Sequence, residues 1–192
     1  MLKLRKRHPV RTFGAPVLRE KAQPITAITD EVRELAAEMT RSMHEFDGIG
    51  IAAPQVGVSK KLVVFDIPAP EEGAELSPGE AALLPLMPLT VVNPEIVASS
   101  SELSEYDEGC LSVPGIFVPV VRPARVVLRA TLLDGRVIEC ECGGLLGRCV
   151  QHELDHLDGV LFPDRVAPEE FEKVRDKLAE LERAGAKRDF RR

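Results

Sequence analysis

Gln151-His152-Glu153-Leu154-Asp155-His156-Leu157-Asp158-Gly159 is the stretch on which the reading of this chain turns. At 3.6 residues per turn, His152 and His156 stand one above the other on a single helix face, a spacing at which two imidazoles can grip one divalent metal. Glu153 lies about 100° round the helix from His152, within reach of a water on that metal without ligating the metal itself. Leu145, Leu146, Cys149, Val150, Leu154 and Leu157 supply apolar helix surface, and Gly159 is placed to end the helix. The chain has only four histidines, so two at ligand spacing around a glutamate favour a metal site over two polar neighbours met by chance. At least one further protein ligand is required.

Upstream, residues 118–142 read as antiparallel β. A strand over 125–133 meets Asp134-Gly135, a type I′ hairpin signal, and returns over Val137-Ile138-Glu139-Cys140-Glu141-Cys142. Cys140 and Cys142 share one face of that strand but lack partners for a metal of their own. Gly143-Gly144 breaks the strand and delivers the chain into the histidine helix. Earlier still comes Glu108-Gly109-Cys110-Leu111-Ser112. A free cysteine is usually a buried small hydrophobe. The polar neighbours here make Cys110 the best candidate for the missing ligand.

Residues 48–57, Gly48-Ile49-Gly50-Ile51-Ala52-Ala53-Pro54-Gln55-Val56-Gly57, hold too many glycines and alanines for ordinary structure. Either the backbone is packed tightly or something approaches it closely. The stretch matches no phosphate-binding loop. Gln55 alone there has a side chain able to donate to a developing oxyanion. Before it, Val32, Leu35, Ala36, Met39 and Met43 form the apolar stripe of a helix capped at Thr29 or Asp30, with His44 at its far end. Strands are expected at 62–67, 90–93 and 95–98. Residues 68–88 form a Pro- and Glu-rich excursion with one short helix. Val160-Leu161-Phe162 reads as a short strand. Pro168 starts a last helix buried through Phe171, Val174, Leu178 and Leu181, and the tail from about residue 184 to 192 frays.

With 192 residues and 44% hydrophobic content the chain reads as one domain spanning 1–192. A net charge of -6 argues against DNA binding, although Lys3, Arg5, Lys6 and Arg7 at one end, and Lys187, Arg188, Arg191 and Arg192 at the other, are basic. No apolar run reaches the ~20 residues of a membrane span, and no apolar segment follows the basic start, so a cytoplasmic setting with reduced thiols is expected.

Taken in order, 48–55, 108–112 and 151–156 resemble the three signature motifs of the peptide deformylases. Gly14-Ala15-Pro16-Val17-Leu18-Arg19 and Gly159-Val160-Leu161-Phe162 extend the likeness over nearly the whole chain. The resemblance implies an α+β fold, with antiparallel sheets packed around a central metal-binding helix and with an N-terminal and a C-terminal helix. It implies Cys110, His152 and His156 as ligands of one divalent metal, Fe²⁺ in the cell, with Zn²⁺, Ni²⁺ or Co²⁺ able to replace it. Glu153 is then general base and acid, and the Gln55 amide and the Leu111 backbone N–H hold the oxyanion. Ile49, Glu108, Gly109, Leu145 and Cys149 line the pocket for a methionine side chain, with Gly50 on the substrate side. Arg148 and Phe117 depart from residues common in the family. The implied reaction removes the formyl group from N-formyl-methionyl nascent peptides, with the basic termini turned toward ribosomal RNA. One thiolate and two neutral imidazoles leave such a site at net +1 with an open coordination position, as a catalytic metal requires.

Two rival readings share parts of this pattern. A zinc endopeptidase also carries His-Glu-x-x-His, but such enzymes usually take the third ligand from downstream of the helix. A non-catalytic metal scaffold would not need Glu153 or Gln55.

Overall fold

The computed structural model describes residues 9–71 and 73–189. The basic residues Lys3, Arg5, Lys6, Arg7, Arg191 and Arg192 lie outside the described residues.

The stripe at 32–43 forms helix α1 (Asp30–Glu45), which buries Ala36, Met39 and Met43. Two short strands follow, β1 (Gly50–Ala52) and β2 (Leu62–Phe65), buried along their whole length. An unbroken apolar run is what a strand covered on both faces requires. The excursion after β2 carries one short helix, α2 (Pro78–Leu83). Then come β3 (Leu89–Ser99), β4 (Leu103–Cys110), β5 (Val113–Pro123), β6 (Val126–Leu132) and β7 (Val137–Cys142). The chain closes with α3 (Gly144–Leu157), the histidine helix, and α4 (Pro168–Asp189).

Among the described residues the strands of both sheets pair antiparallel: a five-stranded sheet ordered β1-β2-β3-β6-β7 and a separate pair β4-β5. The expected α+β architecture is the observed one. Period-two alternation divides β1 and β2 between two neighbours. Ile51, Leu62 and Val64 pack with α1, while Ala52, Val63 and Phe65 pack with Leu146, Val150 and Leu154 of α3. A third core joins Val118 and Val120 of β5 to Phe13, Leu18, Phe162 and Leu178. The apolar side of α3 thus faces the large sheet, and its polar side meets β4-β5. Helix α3 is buried nearly all round, which is why the polar residues on it demand partners.

Local differences from the sequence reading have physical causes. The strands expected at 90–93 and 95–98 are one strand, β3, kinked by a register shift where Asn93 adopts φ 49°. Asn93 holds that bend by bonding Ile25 twice: Ile25 N donates to its Oδ1 and its Nδ2 donates to Ile25 O, both at 2.8 Å. In the 133–136 turn only Gly135 has positive φ, at 89°. A type I′ turn needs two such residues, so the hairpin instead uses a type I turn with glycine at the bulge position. Phe162–Asp164 is a single 3-10 turn rather than a strand, because Asp164 Oδ2 accepts from Leu161 N at 2.9 Å. Helix α4 continues to Asp189, into the stretch expected to fray.

Candidate active site

Antiparallel pairing of β4 with β5 carries a register shift between Glu108 and Cys110. The shift turns Cys110 toward α3, and its Sγ comes to 3.2 Å from His156 Nε2. The ligand atoms of Cys110, His152 and His156 all lie within 4.8 Å of one another. Around a tetrahedral centre, bonds of ~2.3 Å to sulfur and ~2.1 Å to nitrogen put neighbouring ligand atoms roughly 3.5 Å apart. The sulfur and two imidazole nitrogens therefore fit one divalent metal with a position to spare. Among the described residues no other group of three His, Cys, Asp or Glu side chains converges in this way.

What surrounds the ligands orients them. His152 Nδ1 is 2.9 Å from Glu108 Oε2, which fixes the proton on Nδ1 and leaves Nε2 free to face Cys110. Glu108 is itself held in a bidentate grip by Arg122, with Nε at 2.6 Å and NH2 at 2.9 Å, and Arg148 NH1 adds a third donor at 3.1 Å. Burial alone would push the Glu108 carboxyl up. The bonds from His152 and Arg122 outweigh it and hold the group at about 2. Asp155, between the two histidines in sequence, takes Arg122 NH1 at 2.7 Å and passes the chain of charges on to Arg165 at the surface.

Glu153 has no such clamp. It is buried, its Oε2 has no hydrogen-bond partner, and burial pushes its pKa up to about 7. The His152 ring opposes that rise and the Glu108 charge adds to it. A carboxyl poised near neutrality can accept and return a proton. Gly50 makes room for it: a Cβ there would sit 2.6 Å from Glu153 Oε1 and 2.6 Å from Cys149 Sγ. Gln55 is equally committed. Its Oε1 accepts from Ala52 N at 2.7 Å, so its Nε2 points as a donor at Ser112 Oγ, 3.2 Å away, and at Cys110 Sγ, 3.5 Å away.

These groups open on a cavity of about 720 Å³. Its lining includes Gln55, Cys110, Leu111, His152 and Glu153 together with Ile49, Gly50, Glu108, Gly109, Leu145 and Cys149, all singled out in the sequence. His156 is buried behind them, 1% exposed. Sequence reasoning passed over Arg122, Asp155 and Ser112. A signal existed for Arg122, which falls in step with Val118 and Val120 on the inward face of β5. Arg148 forms part of the wall. It is 8% exposed, and its remaining donors are taken by Val120 O, Ser104 O and Ser104 Oγ.

The family model described as polypeptide deformylase matches residues 7–172. Peptide deformylase 2 of Gloeobacter violaceus is 50% identical over 157 residues, 82% of this chain and 78% of that one. Peptide deformylase of Cellvibrio japonicus is 40% identical over 179 residues, 93% of this chain and 98% of that one. Among solved structures, a Thermotoga maritima peptide deformylase superposes with a TM-score of 0.73 at 37% identity, covering 85% of this chain and 99% of that one. One from Synechococcus elongatus, solved with actinonin, gives 0.77 at 38% identity, covering 92% and 89%.

Proposed function

The chain belongs to the polypeptide deformylase family, and on that premise we propose which of its residues carry the reaction. The activity is metal-dependent removal of the N-formyl group from nascent peptides. The observation that carries the assignment of residues is the convergence of Cys110, His152 and His156 beside Glu153 and Gln55 in one cavity.

Cys110, His152 and His156 hold the metal. A divalent metal bound to one thiolate and two imidazoles supplies Lewis acidity and makes water nucleophilic near neutral pH. We assign Fe²⁺ in the cell, with Zn²⁺, Ni²⁺ or Co²⁺ able to take its place, because a mixed sulfur and nitrogen donor set suits these ions. The methionine side chain enters between Ile49, Leu145 and Cys149, and the formyl group lies against Gln55 and Leu111. Glu153 takes a proton from the attacking water and returns it to the departing amine, so that formate and a free N-terminus result. As the formyl oxygen becomes anionic, Gln55 Nε2 and the Leu111 backbone N–H donate to it. Each such donor is worth ~3 kcal/mol in a preorganised site. The bond from Ala52 N to Gln55 Oε1 sets the amide so that its donor end, not its oxygen, faces the cavity.

The deciding experiment measures formate release from an N-formyl-Met peptide by Fe²⁺- and Ni²⁺-loaded protein prepared without oxygen, beside Glu153→Ala. Release by wild type that falls at least ~100-fold in the variant, with metal content unchanged, supports these roles. An active Glu153→Ala protein removes Glu153 from the scheme. The reading takes residues 1–192 as one catalytic domain working in the cytoplasm. It directs the basic termini toward ribosomal RNA, and unchanged ribosome co-sedimentation after deletion of 187–192 argues against a role for that tail.

A further inference from the structure

Two of the four cysteines have no part in the proposed reaction. Cys140 and Cys142 stand on one face of β7, two residues apart, and neither lines the cavity. Cys142 leans back along the strand, its Sγ 3.7 Å from the Cys140 carbonyl oxygen and in hydrogen-bonding contact with the Cys140 sulfur. The two thiols differ in their surroundings. Among the described residues β7 pairs with β6 alone and ends the large sheet, and Cys140 is partly exposed on it. Cys142 is buried and covered by α2: a Cβ on Gly79 would come within 2.7 Å of its sulfur.

Their acidities separate accordingly. A hydrogen bond from Cys142 brings the Cys140 thiol down to about 7, against the effect of burial. The Cys142 thiol is pushed up by that same contact with Cys140 and then by burial, with the Glu80 and Glu141 carboxylates adding to both. An accessible thiol that ionises near neutrality beside a buried, protonated one divides the work of a dithiol: the first attacks and the second resolves. The remaining cysteines are unsuited to this. Burial pushes the Cys149 thiol well above the usual range, and Cys110 belongs to the metal set.

From this geometry we infer that Cys140 and Cys142 form a thiol–disulfide exchange site whose substrate is a low-molecular-weight disulfide of the glutathione class, with Cys140 attacking and Cys142 resolving. The Cys140 thiolate attacks one sulfur of the small disulfide, breaks its S–S bond and releases one thiolate, which takes up a proton. Cys142 then gives up its proton and attacks the Cys140 sulfur of the mixed disulfide, and the second small thiol leaves with that proton. Two protein thiols are oxidised to one disulfide within the strand, and the small disulfide is reduced to two thiols. In an extended strand, Cα atoms two residues apart lie up to about 6.8 Å from each other, the upper end of what a disulfide spans. Closure therefore puckers the strand. The strand accommodates this because Cys142 is its last residue, opposite Val126 at the start of β6, and the chain turns off at once through Gly143 and Gly144. A strained link of this kind reopens when reductant returns.

The test uses Zn²⁺-loaded protein, in which the metal protects Cys110, incubated with glutathione disulfide near neutral pH and read by intact mass and by mapping of alkylated peptides. Wild type loses the mass of two hydrogens, with the link between Cys140 and Cys142 and with zinc content unchanged, and dithiothreitol restores both thiols. Cys142→Ala stops at one glutathione held on Cys140. In Cys140→Ser the reaction with glutathione disulfide is at least about tenfold slower. Iodoacetamide labelling of the reduced wild type needs no variant: Cys140 is labelled at least about tenfold faster than Cys142 or Cys149. Equal labelling of Cys140 and Cys149 overturns the inference. So does wild type that keeps its mass, that ends with glutathione on Cys140 and no internal link, or that forms a disulfide sparing this pair. None of these outcomes bears on the deformylase reading, since neither thiol lines its cavity.

Discussion

Replacing Glu108 by glutamine changes one oxygen and tests the whole clamp. The carboxylate is 4% exposed and serves four donors, two on each oxygen. An amide has a single acceptor oxygen. Its best placement keeps Arg122 Nε and Arg148 NH1 on that oxygen and sets the new NH2 against Arg122 NH2 and His152 Nδ1. Two bonds to an ionised oxygen are lost, and the buried Arg148 charge loses its counterion, whereas Arg122 keeps Asp155. Charged hydrogen bonds are worth about 1.5–3 kcal/mol each, and breaking a buried pair costs about 3–5 kcal/mol, so a loss near 4 kcal/mol is expected. For a chain of this size that is a fall in Tm on the order of 10 °C. His152 also loses the acceptor that keeps its proton on Nδ1, so metal affinity drops by about 10- to 100-fold. Urea unfolding of metal-loaded protein and competition with a chromophoric chelator read the two effects. Adding Arg148→Leu removes that stranded cation, and the double variant loses less than the sum of the singles. A stability loss below about 1 kcal/mol, with unchanged chelator competition, would show that water reaches this carboxylate and that it does not orient the ring.

Three further outcomes follow from particular contacts. Gly50→Ala forces a methyl group against Glu153 and Cys149, so kcat falls by at least about tenfold while bound metal, measured by elemental analysis, stays the same. Asn93→Ala strands Ile25 N and O and puts a Cβ-bearing residue without a polar side chain at positive φ, at a cost of about 2–3 kcal/mol in denaturant unfolding. Asn93→Gly restores only the backbone part of that loss. Ser77 caps α2 through Glu80 N at 3.3 Å and also accepts from Gly143 N at 3.0 Å, just before α3. Ser77→Ala therefore lowers stability by about 1–2 kcal/mol, read as a lower Tm, with little change in turnover.

Much of this protein is written locally. The four-residue spacing of His152 and His156, the stripe of α1, the glycines around Gly50 and the breaks at Gly143 and Gly159 each depend on neighbours in sequence. Periodicity and turn chemistry read such features directly. The same is true of the three ordered motifs that carried the family resemblance. Tertiary structure decided the rest because the partners lie far apart along the chain. Glu108 meets His152 across 44 residues, Gln55 meets Cys110 across 55, and Arg148 meets Val120 across 28. No local pattern states which acceptor a buried arginine will find. That depends on how β4 and β5 slip past one another and how α3 enters between the sheets. The spacing of residues named the metal-binding helix. Burial of a nearly all-round enclosed helix then called for partners, and only the packed chain shows that Arg148, Gln151 and His152 find them while Glu153 Oε2 is left without one.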